Sequence, residues 1–127
     1  MKQIPMDIIS ISILIYYSTS SNQSKALQWM SKEQTADRQY PFMYSQCRAI
    51  HARSLYPCQD TSGVKSTYTA KISCPKPLIA LMSAIETKHD IDTNTFYFEQ
   101  TIVAPSYLIA IAVGHVVSYD LSDRIRV

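Results

Sequence analysis

The sequence lacks an excess of charge of either sign: 12 lysines and arginines stand against 10 aspartates and glutamates over 127 residues. No basic stripe interleaved with aromatics runs through it, so the electrostatic footprint of a DNA- or RNA-binding protein is missing. Long apolar runs are missing too. A membrane-spanning helix needs about twenty residues, and the longest run, YLIAIAVGHVV, falls well short of that. Cysteine is scarce and odd in number, with Cys47, Cys58 and Cys74 widely spaced. That pattern supplies neither a Cys-x-x-Cys knuckle for zinc nor the even framework of a small secreted domain, and it points to a reducing, cytoplasmic compartment. The His-Glu-x-x-His signature is absent, so these residues carry no zinc-peptidase centre of that type. Internal repeats and low-complexity tracts are also absent.

What is present is apolar and hydroxylic. Apolar residues make up 46% and charged ones 17%, which excludes a disordered chain, and nine tyrosines with many Ile, Val and Thr favour strands. The length suits one core. At the amino terminus a lysine, an apolar stretch and small polar residues trace the outline of a secretory leader. Against that, Asp7 adjoins the stretch, and Ile9, Ile11, Ile13, Ile15 and Tyr17 recur at every second position with Ser10 and Ser12 between them. Period two predicts a half-buried strand there.

Further along, Trp29 in ALQWM is expected to anchor against a sheet, and Ser31 with Gln34 has the spacing of a capping box for one helical turn. YPFMYSQ reads as extended, and AIHARSLY as about two helical turns ended by Pro57. Residues 64–74 alternate cleanly, with Val64, Tyr68, Ala70 and Ile72 on one face. PLIALMSAI, TFYFEQTIVA and SYLIAIAVGHVVSYDL read as three more strands, the last apolar on both faces and hence central. ETKHDIDTN reads as a charged turn and RIRV as the start of one further strand. Six strands with almost no helix predict an all-β, antiparallel sheet or sandwich.

Residues 45–60, SQCRAIHARSLYPCQD, hold the candidate chemistry. Cys47 and His51 lie four apart, a spacing that puts both on one helical face within reach of a zinc ion. A complete structural site would then need Cys58 together with Cys74 or His115, with no paired knuckle among them. A Cys47 nucleophile with His51 as its base lacks an evident acidic orienter. The bland reading makes the cysteines small buried hydrophobes, His51 a packed residue, and Arg53 with Asp60 an ion pair that pins a turn. His115, in the most apolar segment, reads as a satisfied core residue, and His89, in a charged loop, as solvated. On residue types alone, the bland reading is favoured, and a free-standing, non-catalytic β-rich interaction module is one outcome of it.

SQCRAIHARSLYPCQDTSGVKSTYTAKI resembles a stretch of the amino-terminal domain of zinc aminopeptidases of the leukotriene A4 hydrolase and aminopeptidase B type. ALQWMSKEQT upstream and LIALMSAI and SYLIAIAVG downstream resemble the same family in the same order, so the likeness covers about residues 7–127. It implies an all-β fold, the antiparallel sheets of that saddle-like domain, truncated at both ends, with residues 1–127 as a partial amino-terminal domain. In the complete family member a thermolysin-like domain carries zinc, His-Glu-x-x-His and Gly-x-Met-Glu-Asn, and a helical domain follows. This chain, having neither motif, is expected to bind no metal and to lack catalysis alone. The resemblance implies a structural turn at Arg53, Pro57, Cys58 and Asp60, with Lys65 beyond it. It also implies a substrate loop at Gln46, Arg48 and Ala49 that faces a peptide amino terminus or a lipid epoxide and reaches the family's catalytic domain. Gln46 and Ala49 match the family. Position 48 departs, since the family has glutamine or glutamate there as a partner for the substrate's α-amine. Ser62 and Gly63 depart from the usual proline-containing turn.

Overall fold

The computed structural model describes residues 10–20 and 22–126. Nine strands are present among them: β1 Leu27–Met30, β2 Phe42–Ser45, β3 Lys65–Ser73, β4 Ile79–Met82, β5 Ile85–Asp90, β6 Thr95–Pro105, β7 Ile111–Gly114, β8 Asp120–Ser122 and β9 Ile125–Arg126. They form a four-stranded sheet in the order β1-β2-β7-β4, a three-stranded sheet β3-β6-β5 and a hairpin β8-β9, with every pairing antiparallel. No α-helix occurs among the described residues, only 3-10 turns, and none is long and apolar enough to cross a membrane.

The two larger sheets meet along one core. In β6, Phe96 and Phe98 turn inward and are buried, while Tyr97 and Glu99 face the other way, as period two demands. Ala80 of β4 lies against them, joined by Ala70 and Ile72 of β3, Met82 of β4 and Val113 of β7. Each buried phenylalanine contributes about 1.5–3 kcal/mol. Within the four-stranded sheet Gly114 packs closely on Phe42: a Cβ at position 114 would stand 2.3 Å from the Phe42 ring. A smaller cluster, Ala26, Cys47 and Ala52, is covered by Leu55, Tyr56 and Cys58, and it supports the loop after β2.

Several expectations need correction. Ile9 lies outside the described residues, and residues 10–20 form no strand. Alternation shows which face a strand would bury, but a strand also needs a ladder, and no described strand pairs with this segment. ETKHDIDTN is mostly strand: β5 takes residues 85–90, and only the link to β6 is a turn. The side chains of this outer strand are largely exposed on both faces, so no apolar rhythm signals it. The turn itself is set by Asp90, whose Oδ1 accepts the Asp92 N–H at 3.1 Å, and by Asn94 at φ 48°. Asn94 then donates from Nδ2 to the carbonyls of Cys74 (3.0 Å) and Leu78 (2.8 Å).

Trp29 is 53% exposed in β1, so it is not the buried sheet anchor expected of it. The long central strand is only β7, preceded by a 3-10 turn at Ser106–Leu108, because Ser106 turns aside to bond Asp60. AIHARSLY gives one 3-10 turn, Ala52–Ser54, in place of two helical turns: the Ser54 hydroxyl folds back onto the His51 carbonyl at 2.8 Å. RIRV does supply β9, closed as a hairpin on β8. At Lys32–Gln34 the predicted short turn forms, and Gln34 Oε1 accepts the Ser31 N–H at 2.9 Å.

Candidate functional site

β2 ends at Ser45, whose hydroxyl accepts the Ile111 N–H of β7 at 2.9 Å, so the departing loop starts from a fixed point. Gln46 donates its N–H to the Ala26 carbonyl at 2.7 Å, and Cys47 sits 2% exposed between Ala26 and Ala52. Beyond this anchor the chain returns to the surface. Gln46 Oε1 accepts the Arg48 N–H at 3.1 Å, the Arg48–Ala49 peptide is cis, and the His51 N–H closes the turn on the Cys47 carbonyl at 2.9 Å. Gln46, Arg48 and Ala49 are all exposed, three neighbours presented outward around one buried thiol.

A second knot lies after the 3-10 turn. Asp60 Oδ2 accepts from the Arg53 N–H at 3.1 Å and from Arg53 Nε at 2.9 Å, and Arg53 Nη2 donates to the Asp60 carbonyl at 3.2 Å. The Asp60 side chain is 4% exposed, and the Arg53 guanidinium holds its carboxyl below the usual range. Asp60 Oδ1 takes the Ser106 hydroxyl at 2.9 Å, which ties the loop to the end of β6. Pro57 is exposed, Cys58 is half-buried against the Cys47 cluster, and Lys65 opens β3 opposite Pro105.

The chemistry available here is limited. Burial pushes the thiols of Cys47 and Cys58 up, which keeps both protonated and removes the thiolate a nucleophile needs. No three of His, Cys, Asp and Glu converge on a metal site among the described residues, so the side chains present do not fit zinc. His115 is no core residue: it is partly exposed, with Nδ1 hydrogen-bonded to Asp37 Oδ2 and its ring edge-on to Tyr40. His89 is no loop residue: it stacks on Phe96 at 3.9 Å and meets Asn94 Oδ1 at 3.2 Å.

Sequence reading missed two hydroxyls that hold the loop. Ser54 Oγ accepts the Ala26 N–H at 3.0 Å, and Ser106 reaches across 46 positions to Asp60. Serine is too common in this chain for either to stand out.

With the sheets and loop established, the likeness to known proteins decides the family. Residues 6–108 match the Peptidase M1 N-terminal domain. The chain belongs to that family. Leukotriene A-4 hydrolase of Xenopus laevis is 50% identical over 102 residues, 76% of this chain and 17% of that protein. Leucine aminopeptidase 2 of Lodderomyces elongisporus is 44% identical over 110 residues, 87% of this chain and 16% of that protein. The structure of native yeast LTA4 hydrolase superposes with a TM-score of 0.73 at 45% identity, over 83% of this chain and 16% of that one. The M1 amino-terminal domain is therefore what these residues form, and the chain spans about a sixth of the length of such relatives. An unrelated free-standing module is not favoured.

Proposed function

We propose that this M1 amino-terminal domain serves a zinc-dependent cytoplasmic aminopeptidase or epoxide hydrolase by holding one wall of its substrate pocket, residues 1–127 forming a partial domain that does no chemistry alone. Gln46, Arg48 and Ala49 face the substrate's end, and the turn of Arg53, Pro57, Cys58, Asp60 and Lys65 keeps that loop in place against the catalytic domain. The observation that carries this reading is the alternation of exposure at the loop: Cys47 is buried while Gln46, Arg48 and Ala49 around it are presented outward from a base fixed by Ser45 and Ala26. Sites of this kind depend on a rigid support beneath the contacting residues. Kinship with proteins named for leucine aminopeptidase and leukotriene A4 hydrolase activity supports the substrate classes, and a yeast LTA4 hydrolase structure holds bestatin. Zinc, when present, supplies Lewis-acid and water-activating chemistry from ligands outside these residues.

Arg48 changes what the loop accepts. A guanidinium about 4 Å from a substrate ammonium, at an effective dielectric near 20, is repelled by about 4 kcal/mol. The same group matches a carboxylate with two parallel hydrogen bonds, so Arg48 favours substrates with an acid near the loop over those with a free α-amine.

Equilibrium dialysis and an aminoacyl-anilide assay on the 127-residue chain test the division of labour. The expected result is neither stoichiometric zinc nor turnover from the chain alone. Grafted in place of its counterpart in yeast LTA4 hydrolase, the same residues should leave zinc content at the level of that enzyme. Chelator-resistant hydrolysis by the isolated chain contradicts the proposal.

A further inference from the structure

The loop that carries Gln46, Arg48 and Ala49 is closed through one hydroxyl. At its start the Gln46 N–H donates to the Ala26 carbonyl at 2.7 Å, and the Ala26 N–H donates in turn to Ser54 Oγ at 3.0 Å. Ser54 Oγ donates to the His51 carbonyl at 2.8 Å, at the loop's far end, where the His51 N–H returns to the Cys47 carbonyl at 2.9 Å. Both ends of residues 46–51 thus meet at Ser54. From outside the loop, the Ser24 hydroxyl donates to the Ser54 carbonyl at 2.8 Å and lies 3.3 Å from Ser54 Oγ.

The inner side of this ring is dry. Ala26 and Ala52 are fully buried, and Cys47 is 2% exposed. If the hydroxyl is removed, the Ala26 N–H has no water to turn to, and a buried donor without a partner is costly. The His51 carbonyl is better placed, since it also accepts the Ser54 N–H at 2.9 Å. Relief has to come from movement of Ala26, and Ala26 carries Gln46 with it. Gln46 Oε1 accepts the Arg48 N–H at 3.1 Å, so Arg48 follows. Contact residues displaced by about 1 Å lose much of what they contribute.

We propose that Ser54 is the positioning residue of this loop: its hydroxyl sets where Gln46 and Arg48 meet a substrate's end, acting through the backbone of Ala26 and His51 rather than by contact. The proposal rests on the reading of Gln46, Arg48 and Ala49 as a substrate wall, and Arg48→Gln serves to separate the two. Hydrogen exchange on the full 127-residue chain reads the ring itself. Ser54→Ala should speed exchange of the Ala26 and Gln46 amides at least about tenfold and leave the amides of β6 as they were. Ser54→Thr should restore both, since Ser54 borders an open cavity of about 550 Å³ with room for a methyl group.

Kinetics are read with the chain grafted into yeast LTA4 hydrolase, in the Arg48→Gln form whose loop can hold a substrate ammonium. There Ser54→Ala should raise KM for an aminoacyl anilide at least about threefold with kcat unchanged, since the loop grips the substrate's amino end equally before and during reaction. Ser54→Thr should bring KM back. Ser73→Ala, which removes a β3 hydroxyl 2.8 Å from Thr95 Oγ1, should leave KM alone. Unchanged exchange at Ala26 and Gln46, a fall in kcat in place of the rise in KM, an unmoved KM, or a Ser54→Thr form no better than Ser54→Ala would overturn the proposal. If Arg48→Gln by itself also leaves KM unmoved, the substrate-wall reading fails with it; if Arg48→Gln lowers KM, only the role of Ser54 fails.

Discussion

Asp60 grips Arg53 twice with one oxygen: Oδ2 accepts from the arginine's backbone N–H at 3.1 Å and from its Nε at 2.9 Å. The second oxygen of the same carboxylate is left for Ser106, 2.9 Å away at the end of β6. One side chain thus joins the loop after β2 to the three-stranded sheet. A carboxylate in this setting is a hub, and its loss leaves donors on both sides unmet.

Asp60→Ala should therefore lower the unfolding free energy by about 1–3 kcal/mol, and Ser106→Ala by about 1 kcal/mol. In a double-mutant cycle the two losses should sum to more than the double variant's, because Ser106 has no carboxylate to lose once Asp60 is gone. Urea denaturation of the four proteins gives the answer.

Acid should act through Asp37 as well. The Gln39 N–H, then His115, hold its carboxyl down to about 2, from an ordinary 3.8. A carboxyl depressed in the folded state contributes stability that is fully present above its unfolded value and fades as pH falls toward its folded one. Urea midpoints should thus decline between about pH 4 and pH 2, and Asp37→Asn should flatten that decline. A midpoint that rises with acid in this window would reverse the sign and refute the assignment.

Phe42 and Gly114 are packed too closely for any side chain between them. A Cβ at position 114 would meet Phe42 Cδ2 at 2.3 Å. Gly114→Ala should cost about 1–3 kcal/mol by overpacking, and Phe42→Leu in the same chain should recover part of that loss. Thermal unfolding of the single and double variants measures both effects.

The parts legible in the sequence were those where one physical signal governs. β3 and β6 carry enough period-two rhythm to be read with nearly their observed bounds, since Phe96 and Phe98 of β6 are buried in the core that Ala70 and Ile72 of β3 partly cover. The antiparallel all-β class followed from the same rhythm. β5 was hidden because its side chains are largely exposed on both faces, and only the Asx turn after it leaves a trace. Residues 10–17 misled in the opposite direction, for they carry the rhythm without the ladder. At the loop, the Arg53–Asp60 pair could be read from residue types seven positions apart. The tie to Ser106 could not, because a hydrogen bond across 46 positions depends on the tertiary fold and leaves no local pattern.

Arg48 remains the residue on which the functional account turns, and one measurement bears on it most directly. With residues 1–127 grafted into yeast LTA4 hydrolase, kcat/KM for an aminoacyl anilide is compared before and after Arg48→Gln. The account predicts a rise of at least about tenfold, through a lower KM, as the repulsion of the substrate ammonium is removed. An unchanged or lower kcat/KM would contradict it.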